Sequence, residues 1–171
     1  MLSSFPRRAV PRIAAALVAL AGIGLSPAAY ADSFIPIGNG WQTYVNDRFG
    51  MRFDYPADIF APLEEPQNGD GRSFQSTDAT LQIFGTHNVL NDSPASMKRE
   101  MVGMQDYEEV TYSPSSRNWL VLSGYRGDRI FYEKYFFRGD VIAAFAMEFP
   151  AGRKPYYAPI IERIEDSFRA D

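Results

Sequence analysis

Catalysis and metal binding need side chains that exchange protons, attack, or donate lone pairs, and this sequence offers few in a working pattern. His87 is the single histidine, and cysteine is absent. A catalytic triad needs a histidine beside a nucleophile, and a zinc site needs several nitrogen or sulfur ligands. His87, which follows "IFGT", supplies neither set and reads as a strand-end or loop side chain. Ser123 sits in "VLSGY" rather than in a G-x-S-x-G elbow, so it reads as a strand residue near a bend. The stretch "NGDGR" has the look of a calcium loop. With Gly71 in the sixth place of the twelve-residue register, however, Pro66 falls first and Thr77 last, where an acid and a bidentate glutamate are required. The turn reading fits better, since Asn-Gly and Asp-Gly both favour positive φ. Glu64-Glu65 and Glu108-Glu109 are acid pairs. Sequence neighbours on a strand point to opposite faces, so neither pair builds a two-carboxylate cleft by itself. No catalytic residue, metal ligand or cofactor site is assigned from the sequence.

Arg-Gly-Asp occurs twice in "YRGDRIFYEKYFFRGDV". The triplet invites an adhesion reading, but the flanking runs are strand-like, and a Gly-Asp pair between two such runs is a two-residue hairpin connection. Gly127-Asp128 and Gly139-Asp140 are therefore expected to be the corners of a three-strand meander over 119–150.

Aromatic residues are plentiful. Within 129–138, Ile130, Tyr132 and Phe136 fall on one face and Phe131, Tyr135 and Phe137 on the other. A strand apolar on both faces is covered on both. Tyr125, Tyr132, Tyr156 and Tyr157 form the candidate ligand or partner patch, chosen for aromatic content; ordinary packing is the competing explanation.

These residues are positioned by a chain whose first 31 residues read as an address. Arg7, Arg8 and Arg12 precede an apolar run from Ile13 to Leu25, Pro27 breaks it, and Ala29-Tyr30-Ala31 offers a small-residue cleavage site. This is the layout of a secretory signal peptide cleaved after Ala31, and the run is too short for a membrane span of about 20 residues. The signal carries three arginines and no acid, so the mature chain is more acidic than the formal −4 of the whole sequence. Such a domain repels phosphate backbones, which argues against nucleic-acid partners. The expectation is a periplasmic or secreted protein with no membrane anchor after cleavage.

Asp32–Gly40, with Pro36, Gly38 and Gly40, reads as a flexible leader, and 41–171 as a single domain. "WQTYV" and "GMRFDYP" make a hairpin ended by Pro56. "TLQIFG" is a strand with Leu81 and Ile83 on one face. "NDSPASMKREMVGM" is a helix capped by Asp92 or Ser93, with Pro94 in first position, Gly103 at its end and Met97, Met101 and Met104 on one face. "YEEVTYSP" is a further strand. In "YYAPIIERIEDSF", Tyr157, Ile160, Ile161, Ile164 and Phe168 follow helical spacing, with Pro159 in the first turn and charged residues on the other face.

"YVNDRFGMRFDYPADIF" resembles the opening hairpin of PsbP-like domains, and "YYAPIIERIEDSF" resembles their closing helix. "NGDGRSFQSTD", "LSGYRGDRIFYEKYFF" and "AMEFPAGRKPYYAPIIERIEDSF" are similar to a group of exported alphaproteobacterial proteins, with Asp78-Ala79 standing where Asp-Gly is expected. The resemblance implies an α+β fold, an antiparallel β-sheet meander flanked by helices in an α-β-α sandwich. It also implies a non-catalytic accessory or binding role, since the superfamily includes an extrinsic photosystem subunit, a nuclear-import cofactor and exported lipoproteins, with no shared catalytic residues. The expected partner is another protein or a small apolar ligand. The alternatives are a periplasmic hydrolase whose site is assembled from distant residues, and an adhesin acting through its Arg-Gly-Asp triplets.

Overall fold

The three-strand meander forms as its turn chemistry requires. In the computed structural model, which describes residues 32–104 and 109–170, β8 (Trp119–Arg126), β9 (Arg129–Arg138) and β10 (Val141–Pro150) pair antiparallel in sequence order. Gly127 and Gly139 turn the corners at φ 60° and 57°, a region open to glycine without Cβ strain. The signal-like segment 1–31 and Glu108 lie outside the described residues.

This meander is the heart of a seven-stranded sheet. β6 (Thr80–His87) pairs with β10, β5 (Gly71–Gln75) with β6, and the two-residue β4 (Ala61–Pro62) with β5. On the other side β7 (Glu109–Tyr112) closes the sheet against β8, with a bulge between Val110 and Tyr112. A second sheet of four strands runs β1 (Ser33–Gly38), β2 (Trp41–Asn46), β3 (Met51–Pro56), β11 (Arg169–Ala170).

The stretch expected as a flexible leader is thus a strand. Ser33 to Pro36 pair in register with Val45 to Gln42. Pro36 is tolerated because β1 is an edge, where a missing N–H leaves no ladder bond unmade. Gly38, Asn39 and Gly40 all have positive φ and form the tight turn into β2.

Helix α1 (Pro94–Val102) is set by its cap. Ser93 Oγ accepts from Ser96 N–H at 3.1 Å, and Ser96 Oγ accepts from Ser93 N–H at 2.8 Å, a reciprocal capping box. Met97 and Met101 pack inward with Phe84, Leu120, Leu122, Phe131 and Ile142. Met104 lies beyond the helix and is exposed, so the methionine face is two residues long rather than three.

Helix α2 (Lys154–Ser167) buries Tyr157, Ile160, Ile161 and Ile164, and Phe168 follows them into the core. It starts earlier than its apolar spacing suggests, because a 3₁₀ turn at Ala151–Arg153 leads into it. Pro155 therefore takes the early position and Pro159 falls inside the helix, where it removes one backbone donor. Together α2 and the β2–β3 hairpin cover one face of the large sheet, enclosing Phe53, Phe74, Leu81, Phe145 and Phe149, while α1 covers the other. The two faces of β9 are accordingly both buried. The fold is mixed α+β, and one flank of the meander is shared between a helix and a second small sheet.

Candidate functional site

The seven-stranded sheet is wider than the layer that covers it. α2 packs on β3 and β10, reaches β9 through Glu165 and leaves β7 and β8 beside it, so a cleft of about 410 Å³ opens between the helix and the sheet edge. Its helical wall is the stripe Lys154, Ala158, Ile161, Glu162 and Glu165, spaced so that all five share one side of α2. Its floor comes from Gly124, Ile130, Tyr132 and Phe149, and Thr111 and Tyr112 of β7 form the far lip.

Gly124 makes this shape possible. A Cβ there would lie 1.7 Å from the carbonyl oxygen of Glu109. Only glycine lets β7 approach so closely, and the adjacent bulge turns Tyr112 outward until it is 56% exposed.

Tyr132 anchors the deep side of the cleft. Its hydroxyl donates to Glu165 Oε2 at 2.7 Å, and Lys134 Nζ ion-pairs with the other oxygen of the same carboxylate. Burial, with the Glu165 hydrogen bond second, pushes the Tyr132 phenol well above its ordinary range. The Tyr132 ring stacks on Phe145 at 5.9 Å. Glu162 makes no ion pair or side-chain hydrogen bond among the described residues, and it is exposed at the cleft.

Of the four tyrosines singled out in the sequence, Tyr125 and Tyr132 line this cleft. Tyr157 does not. It is 1% exposed, turned toward Phe149 at 5.0 Å, with its hydroxyl donated to Asp78 and 3.3 Å from that of Ser76. Tyr156 is on the surface under the Arg153 guanidinium at 4.5 Å. The two rings meet edge to face at 4.9 Å, and neither residue belongs to the cleft lining. The carboxylates of the cleft, Glu162 and Glu165, read in sequence as the solvated side of an amphipathic helix. The signal that could have found them is their placement four and seven residues after Ala158, next to Ile161.

The other candidate residues have structural partners. His87 ends β6, exposed, with its ring 5.4 Å from Phe49 and Nδ1 3.7 Å from Asp140. The Ser123 hydroxyl donates to the Phe131 carbonyl at 2.8 Å. In the "NGDGR" turn, Asp70 pairs with Arg48 at 2.6 Å, and Glu65 pairs with Arg72 at 3.2 Å. The arginines of both triplets fold back onto the protein. Arg126 binds Glu133 at 2.9 Å and Glu148 at 3.3 Å and lies over the Phe131 ring, while Arg138 donates to the Ala170 carbonyl.

Burial raises the phenols of Tyr44, Tyr55, Tyr132 and Tyr157 above their ordinary value. A raised folded pKa holds the proton more tightly in the native state. Its stabilisation is complete below about pH 10, where unfolded tyrosine begins to ionise, and is lost as pH climbs beyond it. Denaturant midpoints are expected to hold to that pH and then fall steeply, with the share of tyrosinate absorbance due to these four buried phenols appearing only as the chain unfolds. Full ionisation of all tyrosines in a still-folded protein would contradict this.

No family model matches the sequence, and neither does any curated protein. Among solved structures, the solution structure of cyanobacterial PsbP (CyanoP) from Synechocystis sp. PCC 6803 matches with a TM-score of 0.59 at 14% sequence identity, covering 79% of this chain and 95% of its own. The architecture, two antiparallel sheets with two helices, is PsbP-like.

Proposed function

We propose that this is a non-catalytic accessory protein, exported to the periplasm or beyond, which holds a small apolar ligand in the cleft beside α2. The cleft itself carries the reading. Its volume of about 410 Å³ lies within the roughly 300–1,000 Å³ typical of small-molecule sites, and its walls mix apolar surface with a few polar groups. The basic start, apolar run and A-x-A site of the first 31 residues support export, and the likeness to exported alphaproteobacterial proteins belongs to the same reading.

Ala158 is exposed on the helical wall, so Ala158→Trp fills the cleft without entering the core. Small molecules that co-purify with the protein from periplasmic extract are to be identified by mass spectrometry, for wild type and for Ala158→Trp. A reproducible compound lost from the variant, at unchanged thermal stability, is the expected result. Identical profiles for the two proteins would sink the ligand reading. Capture of a protein partner that is indifferent to Ala158→Trp would do the same.

A further inference from the structure

We propose that the cleft selects small organic cations, an ammonium head on an apolar body; this rests on the ligand reading above. Three observations converge. The cleft is lined by Tyr112, Tyr125 and Tyr132, and aromatic faces attract cations more than they attract anions or neutral heads. Two carboxylates, Glu162 and Glu165, share its wall one turn apart. Lys134 already neutralises Glu165, whereas Glu162 has no counter-ion among the described residues. The cleft thus holds one uncompensated negative charge beside aromatic surface.

Its other charged residue, Lys154, lies eight positions earlier on α2, about 12 Å away along the axis. It therefore marks the opposite end and does not cancel Glu162. Between them lie Ala158 and Ile161, a surface that suits an alkyl or aryl body. An ammonium group bound near Glu162 would face Tyr112 and Tyr132 while its body runs along the helix toward Lys154. A cleft of about 410 Å³ accommodates one molecule of that kind.

Calorimetric titration of the purified protein with three probes of equal chain length tests this: octyltrimethylammonium, octyl glucoside and octanesulfonate, each below its micelle concentration. The ammonium is expected to bind about tenfold more tightly than the sulfonate, and Glu162→Gln to weaken the ammonium about fivefold while leaving the glucoside unchanged. Ala158→Trp is expected to block both. If the three probes bind alike, or the sulfonate binds best, and Ala158→Trp still blocks them, the cation assignment is wrong and the cleft remains a ligand site. If no probe binds, or binding ignores Ala158→Trp, both fail. Glu162 and Ala158 are exposed on α2, so neither substitution disturbs the packed face, and unchanged melting of each variant confirms it.

Discussion

Replacing Phe74 by alanine is expected to destabilise the protein by about 3–5 kcal/mol. Phe74 is fully buried where the two sheets face each other. Its ring meets Tyr55 at 4.6 Å, Tyr44 and Phe53 each at 5.7 Å, and Phe34 at 6.5 Å. Truncation removes the buried ring and its edge contacts and leaves a cavity framed by stiff aromatic side chains from β1, β2 and β3. Rings anchored on three strands collapse poorly into a void, so the cost should fall in the upper half of the range. Domains of ordinary stability unfold at about 5–15 kcal/mol, so the variant would lose a large fraction of its margin. Urea titration should show a lower midpoint at an unchanged slope, and Phe74→Leu should recover part of the loss. A loss below about 1 kcal/mol would mean that the sheets do not pack through this residue.

Asp32→Ala is expected to cost about 3 kcal/mol through a different mechanism, the breaking of a buried charge pair. The Asp32 side chain is 2% exposed. One carboxylate oxygen accepts from the Tyr44 hydroxyl at 2.8 Å and from Asn46 Nδ2 at 3.1 Å, and the other accepts from Arg72 Nε at 3.0 Å and Nη2 at 2.9 Å. Removing it leaves the Tyr44 phenol without its acceptor and the Arg72 guanidinium without its closest carboxylate, while the Asn46 amide keeps the Gly69 carbonyl at 3.0 Å. Arg72 keeps Glu65 and the Leu63 carbonyl, which holds the loss near the lower end for such pairs. The same measurement on Asp32→Ala, Arg72→Met and the double variant should show strong non-additivity, because the second change removes the charge that the first one orphaned. Additive losses would show the two residues to be energetically independent.

The sequence was most legible where a single local rule governed the outcome. The two Gly-Asp corners follow from glycine's access to positive φ, and the inward face of α2 follows from helical spacing. The double burial of β9 follows from aromatic residues at both odd and even positions. Legibility failed where the deciding partner was distant. Pro36, Gly38 and Gly40 made β1 look like a leader, because its pairing with β2 and the Asp32–Arg72 pair across 40 residues leave no local trace. The two-residue strands β4 and β11 exist only because longer strands lie beside them. The cleft was half legible. Aromatic content pointed to Tyr125 and Tyr132, but Tyr156 and Tyr157 carried the same signal with different directions. The carboxylates were hidden among ordinary polar positions, and nothing in the sequence says that α2 stops short of covering β7 and β8.

Residues 167–170 have a particular standing. The Asp54 N–H donates to the Ser167 hydroxyl, 113 residues later, at 2.9 Å, β11 pairs with Met51 and Arg52, and Phe168 stacks on Phe136 at 4.9 Å. A ribosome delivers the hairpin near residue 50 long before it delivers these partners. Until residues 167–170 emerge, one flank of that hairpin is a bare row of amides and carbonyls, and the aromatic layer beneath it stays open. Closing that flank therefore waits on residues made 113 positions after the hairpin: a nascent polypeptide of this design keeps its small sheet incomplete until the segment 167–170 has emerged.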